Sequence, residues 1–136
     1  IVAGLDYRWG WSAPMAVWLR VLGVVGLVGV EALLAWSMVA NRFFSPLVRI
    51  QSERGHEVED NGPYAWVRHP GYLASVVHAL VLPLVLGSWW ACLPATALLV
   101  ANVLRTAWED RDLQAGLEGY AEYAQRVRWR LLPHIW

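Results

Sequence analysis

The sequence predicts an all-α protein: a polytopic membrane helix bundle with one long spanning helix, a helical hairpin, and a polar loop and tail. Three observations carry that prediction. First, the 136 residues are 57% hydrophobic and 16% charged, with a mean hydropathy of +0.36, whereas a soluble domain carries roughly 25% charged residues. Second, the apolar residues collect into three long stretches. Third, the 10 tryptophans fall mostly at the ends of those stretches. So apolar a chain has ample surface to bury, which excludes disorder. Cys92 is the only cysteine, which excludes a disulfide scaffold. Eleven basic and 11 acidic residues give a net charge of +0, so no global field draws the chain to nucleic acid. At 15.3 kDa, residues 1–136 make a single domain.

Residues 1–12 read as an outer loop with Trp9 and Trp11 at its end. The first helix is expected over 13–40. It is interrupted by Arg20 and Glu31, but from Val21 to Val30 it has no polar side chain. About 20 residues cross a hydrocarbon core of ~30 Å, so this stretch spans with tilt. It is too long for a secretory signal, and no basic region precedes it. Gly23, Gly26 and Gly29 share one side of it, which suits close helix packing. Glu31 is expected to pair within the bundle or to serve a site.

The second and third helices are expected over 71–86 and 89–107, as a hairpin turning at Gly87-Ser88. Pro83 and Pro94 lie near its tip, where lost backbone hydrogen bonds matter least. Buried helices of a soluble bundle would show a polar outward face, and neither helix does. Trp89 and Trp90 mark the tip, and Trp66, Trp108, Trp129 and Trp136 fall at or beyond other helix ends. That is the placement of rings at headgroup depth.

Arginine sets the orientation. The loop 41–70 carries Arg42, Arg49, Arg54 and Arg68, and the tail 108–136 carries Arg111, Arg126, Arg128 and Arg130, while the 87–88 turn carries no charge. The positive-inside rule puts loop and tail in the cytoplasm. Basic residues that are all Arg, with heavy use of Ala, Val and Leu, point to a GC-rich bacterium and hence to its inner membrane. Ile1 at the start and only three spans suggest a fragment, with more helices upstream.

Chemistry is expected in two polar blocks, 48–72 and 105–130, because a bilayer face offers no donors or acceptors. Arg68-His69-Pro70 reads as a helix start. Pro70 suits the first helical position, and His69 takes the N-cap, outside the core, beside backbone N–H groups that favour an anion. An ordinary interfacial loop meeting lipid headgroups would read the same way. Arg105 and Glu109 are spaced i, i+4 and share a face. They either serve a ligand at membrane depth, or Arg105 reaches headgroups while Glu109, Asp110, Arg111 and Asp112 form a solvated face. His56, His69, His78 and His134 show no metal-ligand spacing, so no metal is expected.

The run Gly62-Pro63-Tyr64-Ala65-Trp66-Val67-Arg68-His69-Pro70-Gly71-Tyr72 resembles the signature of the isoprenylcysteine carboxyl methyltransferases and related phospholipid methyltransferases. Arg49-Ile50-Gln51, Gly55-His56, Arg105…Glu109, Gly119-Tyr120-Ala121-Glu122-Tyr123 and Arg126-Val127 extend the resemblance from about residue 44 to the end. It implies an integral membrane enzyme using S-adenosylmethionine in a cytosolic pocket. It also implies that Gln51, His56, Tyr64, His69, Pro70, Gly71, Tyr72 and Glu109 contact the cofactor and that Arg105 orients the substrate. Glu57-Val58-Glu59 after His56 departs from the family's less acidic stretch. The acceptor implied is a lipophilic small molecule, a lipid or a prenyl-cysteine-like group. Two other readings remain open: a membrane sterol-type reductase using a nicotinamide cofactor, and a non-catalytic module whose loops bind headgroups. The acidic Glu57, Glu59 and Asp60 suit a phosphorylated dinucleotide poorly. Oligomeric state is not legible.

Overall fold

The computed structural model describes residues 1–45 and 50–136; Arg49, part of the resemblance above, lies outside them. The described residues form five α-helices and no strand. They are α1 (Val2–Trp9), α2 (Val17–Ala40), α3 (Pro70–Leu86), α4 (Cys92–Gly116) and α5 (Tyr120–Arg126), with short 3-10 turns at Ser52–Arg54 and Gly62–Ala65.

Three boundaries differ from expectation. The outer loop is instead α1, closed by Gly10 in the left-handed conformation with its N–H on the Asp6 carbonyl at 2.8 Å. The carboxylate of Asp6 accepts from Ser12 N and Oγ, both at 2.7 Å, and from Ser88 Oγ. That buried acceptor ties α1 to the hairpin tip, which is why the segment is ordered as a helix. The first long helix begins at Val17, after Pro14. The third begins at Cys92, because Ser88 Oγ takes the Ala91 N–H and holds 88–91 as a turn. It then continues to Gly116, so Arg105, Glu109 and Asp110 stand on one continuous helix.

α3 lies between α2 and α4 and packs on both. A Cβ at Gly23 would meet Leu84 and the Val85 backbone within 2.9 Å, and one at Gly26 would meet Val81 at 2.9 Å. These two glycines therefore set the close approach of α2 to α3. Gly29 has open space around it, so the expectation that all three pack together fails there.

Among the described residues, α2 alone is long and apolar enough to cross a membrane; α3 is apolar but 17 residues long. Only 11% of the most apolar window of α2 is buried. Val21, Leu22, Val25 and Val28 face outward. A core helix of a soluble protein would be mostly covered; this one needs apolar surroundings.

The bundle has two distinct ends. At one, Trp9 stacks on Trp11, which meets Trp90 edge-on at 5.8 Å. At the other, the loop before α3 is joined to the C-terminal segment. Arg68 N donates to Trp129 O and His69 N to Arg130 O, both at 2.9 Å, and Arg126 meets Asp60 at 2.9 Å. Ser88 is buried but Cys92 beside it is exposed, so the native thiol is the better probe of topology. In intact cells an impermeant maleimide should label Cys92, and should fail to label a Ser52→Cys, Cys92→Ser variant until the membrane is opened. The reverse pattern would invert the orientation read from arginine.

Candidate functional site

At the loop-and-tail end the chain encloses a cavity of about 580 Å³, within the range of small-molecule sites, about 300–1,000 Å³. Its walls come from every long helix. α2 contributes Leu34; the loop contributes Asn41, Phe43, His56, Glu59 and Tyr64; α3 contributes Gly71, Tyr72 and Ser75. α4 contributes Asn102, Arg105 and Glu109, and α5 closes it with Tyr120 and Tyr123.

Of the residues expected to form a site, His56, Tyr64, His69, Gly71, Tyr72, Arg105 and Glu109 line this one cavity; Gln51 and Pro70 do not. Tyr72 and Glu109 face each other across the α3–α4 seam, with Tyr72 Oη donating to Glu109 Oε2 at 2.6 Å. The Arg105 guanidinium lies 5.7 Å from the centroid of the Tyr72 ring. The i, i+4 pair thus reaches a common partner on the next helix.

Gln51 is 2% exposed and acts as a strut. Its Nε2 donates to Phe43 O at 2.7 Å, its Oε1 accepts from Arg54 at 2.6 Å, and its backbone N–H donates to His56 Nδ1 at 3.2 Å. That last bond turns the His56 ring toward the cavity. Burial pushes the His56 pKa down; nearby Glu109 opposes this and Arg54 adds to it. Burial raises the Tyr64 phenol to about 12, so it is neutral. Pro70 is the buried first residue of α3, where its missing N–H costs nothing. Gly71 is required by space, because a Cβ there would stand 2.7 Å from the Phe44 ring.

The structure overturns two expectations here. His69 is not an open side chain outside the core: it is buried, with Nε2 3.1 Å from Asp110 Oδ1. Asp110 is not part of a solvated face: it is fully buried. Its carboxylate receives Arg68 through Nε at 2.7 Å and Nη2 at 3.0 Å, Arg130 Nε at 2.8 Å, Gln114 Nε2 at 2.7 Å and Tyr120 Oη at 3.0 Å. Arg68 also caps the Val127 and Arg128 carbonyls at 2.8 and 2.9 Å. Burial alone would raise the Asp110 pKa; bonds from His69, Arg68 and Arg130 hold it well below the usual carboxylate range. Arg68 likewise resists desolvation, and Asp110 raises its pKa. A sequence signal for Asp110 existed. Thr106, Asp110, Leu113 and Leu117 follow one another at i, i+4, i+7 and i+11, the period of a covered helix face. Ending the helix at 107 hid it.

Among the described residues no group of three or more His, Cys, Asp or Glu side chains is placed to hold a metal ion.

The sequence model of the isoprenylcysteine carboxyl methyltransferase family matches residues 21–115. The chain belongs to that family. Among curated proteins it is similar to protein-S-isoprenylcysteine O-methyltransferase B of Arabidopsis thaliana, at 28% identity over 132 residues, covering 91% of this chain and 60% of that protein. It is also similar to the delta(14)-sterol reductase TM7SF2 of Mus musculus, at 32% identity over 95 residues, 66% of this chain and 22% of the reductase. The lamin-B receptor of Drosophila melanogaster aligns at 23% identity over all of this chain and 20% of the receptor. The chain therefore spans between a fifth and three fifths of the length of these relatives. No solved structure matches it. The matched segment holds the loop, both helices of the hairpin and the Arg105–Glu109 pair, so the cavity belongs mostly to the family region.

Removing the Asp110 charge leaves Arg68 buried without compensation. Asp110→Asn should destabilise the protein by about 3–5 kcal/mol, seen as a lowered melting temperature in detergent. The pKa of Asp110 is depressed on folding, so its contribution is present above the ordinary value of 3.8 and is withdrawn as pH falls below it. The parent should therefore lose stability below about pH 4, and the variant should lose less over that range.

Proposed function

We propose that this chain is the methyl-transfer unit of an integral membrane methyltransferase that takes S-adenosylmethionine from the cytoplasm and a lipophilic acceptor from the bilayer. The observation that carries it is the Tyr72–Glu109 contact beside Arg105 in the wall of a cavity shared by the polar loop and the long helices. The family and the isoprenylcysteine methyltransferase relative support the same reading.

The cavity fits the cofactor's chemistry. Glu109, with Glu57 and Glu59 at the rim, offers carboxylates to an ammonium or sulfonium, and Phe43, Tyr64 and Tyr72 offer aromatic faces. When bound, the cofactor supplies an electrophilic methyl group on a positively charged sulfur. The chain's own work is alignment and exclusion of water. Glu109, held by Tyr72, orients the cationic end. Arg105, one helical turn nearer the apolar part of α4, presents its planar fork to a carboxylate acceptor. Such a nucleophile needs no base. His56, fixed by the Gln51 backbone, and the neutral Tyr64 close the cytoplasmic side. In this reading α2, α3 and the apolar part of α4 span the inner membrane of a bacterium, with the site facing the cytoplasm and membrane lipids around the helices.

The sterol reductase relative supports a second reading, with a nicotinamide cofactor in the same cavity. The carboxylates at the rim oppose it, since they would repel a dinucleotide's phosphates.

Calorimetric titration decides between the readings: S-adenosylmethionine should bind and reduced nicotinamide dinucleotides should not. Glu109→Gln should weaken S-adenosylmethionine binding about 10- to 150-fold, the equivalent of a lost charge-assisted contact of roughly 1.5–3 kcal/mol. Arg105→Lys keeps the charge but loses the fork, so it should spare cofactor affinity and lower kcat. Equal cofactor affinity in parent and Glu109→Gln would refute the assignment.

A further inference from the structure

Transfer to a carboxylate leaves one group of the cavity wall without a task. His69 lines the cavity and is 5% exposed. Its Nε2 lies 3.1 Å from Asp110 Oδ1. Bonds from His69, Arg68 and Arg130 keep that carboxylate ionised, and an ionised carboxylate only accepts. Nε2 therefore carries the ring proton, and in the neutral imidazole the lone pair sits on Nδ1. Among the described residues nothing bonds to Nδ1. It is not one of the sealed polar atoms without a partner, so it opens onto the cavity.

His69 is also the N-cap of α3. An N-cap side chain commonly accepts from the second or third N–H of its helix, and here no such bond forms. The N–H groups of Gly71 and Tyr72, two residues of the cavity wall, likewise have no partner among the described residues. The start of α3 thus offers a buried basic lone pair and two backbone donors. The charges there select the occupant. The helix start is electropositive and Arg68 precedes His69, which disfavours an ammonium. A carboxylate would face the lone pair. A hydroxyl satisfies both: its hydrogen goes to Nδ1 and its oxygen accepts from the backbone N–H groups.

We propose that His69 is a catalytic base and that the cavity takes a lipophilic phenol as a methyl acceptor. This deepens the methyltransferase reading and rests on it for the reaction. The phenol proton passes to Nδ1. The phenol oxygen forms the bond to the methyl carbon as the bond from that carbon to sulfur breaks, and the electron pair neutralises the sulfonium, giving S-adenosylhomocysteine. Asp110 holds the imidazolium, which then returns its proton to water. The N–H groups of Gly71 and Tyr72 stabilise the oxygen while it carries charge.

The test uses the full chain in lipid nanodiscs and two probes differing only at the head, para-(geranyloxy)phenol and para-(geranyloxy)benzoate. The parent, with S-adenosylmethionine, should methylate the phenol. His69→Gln keeps an N–H for Asp110 but has no base, so the ratio of kcat on the phenol to kcat on the benzoate should fall about 100-fold. Without cofactor, ortho-geranyl-para-nitrophenol should show its phenolate band on binding the parent below its own titration, and not on binding His69→Gln. If that variant does not fold, the parent's pH profile decides. Its phenol rate should rise as the imidazole loses its proton and level off well below about pH 10, where a free phenol titrates. Of the groups around the ring, Asp110 titrates below that range and Tyr120 above it; Arg68 and Arg130, on Asp110, stay charged; Tyr72 bonds Glu109. A parent that binds S-adenosylmethionine but leaves the phenol unmethylated would overturn the assignment. So would a phenol rate that climbs without a plateau, or a phenolate band that survives His69→Gln. A greater loss on the benzoate than on the phenol in His69→Gln would make His69 an anion-binding group and overturn it too. A parent that shows the His69-dependent phenolate band yet fails to bind S-adenosylmethionine would refute the methyltransferase reading and leave the proton-accepting site standing.

Discussion

A single buried carboxylate holds the polar end of the molecule together. Asp110 stands on α4 and gathers Arg68 and His69 from the loop before α3, Tyr120 from α5 and Arg130 from the C-terminal segment. A buried charge is tolerated only when its acceptor capacity is met, and no one of these segments could meet it alone. The loop, the tail and the helix end are therefore arranged around one group. Backbone bonds from Arg68 and His69 to Trp129 and Arg130 then lock the two irregular segments side by side. The neighbouring Glu109 turns about 100° away on the helix and enters the cavity, so one acidic residue fixes the scaffold that presents the other.

The opposite constraint comes from outside. α2 leaves most of its apolar surface uncovered, and α3 can approach it closely only because Gly23 and Gly26 lack side chains. The hydrophobic effect in water does not hold such helices together. Close van der Waals contact does. The polar end and the apolar body thus use different physics, and the cavity forms where they meet.

Most helices were legible because apolar runs and turn residues are local signals: α3 ends at Gly87 in the left-handed conformation and begins at Pro70, as the sequence indicates. α1 was not legible, because its order depends on Asp6 meeting Ser88, a contact between residues 82 positions apart. For the site, the i, i+4 spacing placed Arg105 and Glu109 on one face but could not supply Tyr72 as their shared neighbour. The resemblance named Gln51 and His69 as cofactor contacts; the structure shows in addition that both side chains bond to the protein, Gln51 to Phe43 and Arg54 and His69 to Asp110, while His69 also lines the cavity. The eleven-residue signature therefore mixes residues that face the cavity with residues that shape it, and sequence alone does not separate the two. Asp110 lay in plain view but read as one more acid in a charged run, since burial of an acid is decided by partners far away along the chain.

Gly71 carries no functional group, yet Phe44 can occupy the cavity wall only because position 71 lacks a methyl. Substitution there would displace an aromatic ring from another segment and reshape the chamber without touching any charged or hydrogen-bonding group. In a mutational scan such a position would be indistinguishable from a reactive residue by activity alone. The diagnostic is its rescue: a smaller side chain at 44 should tolerate a larger one at 71, a compensation that no chemically acting residue would show.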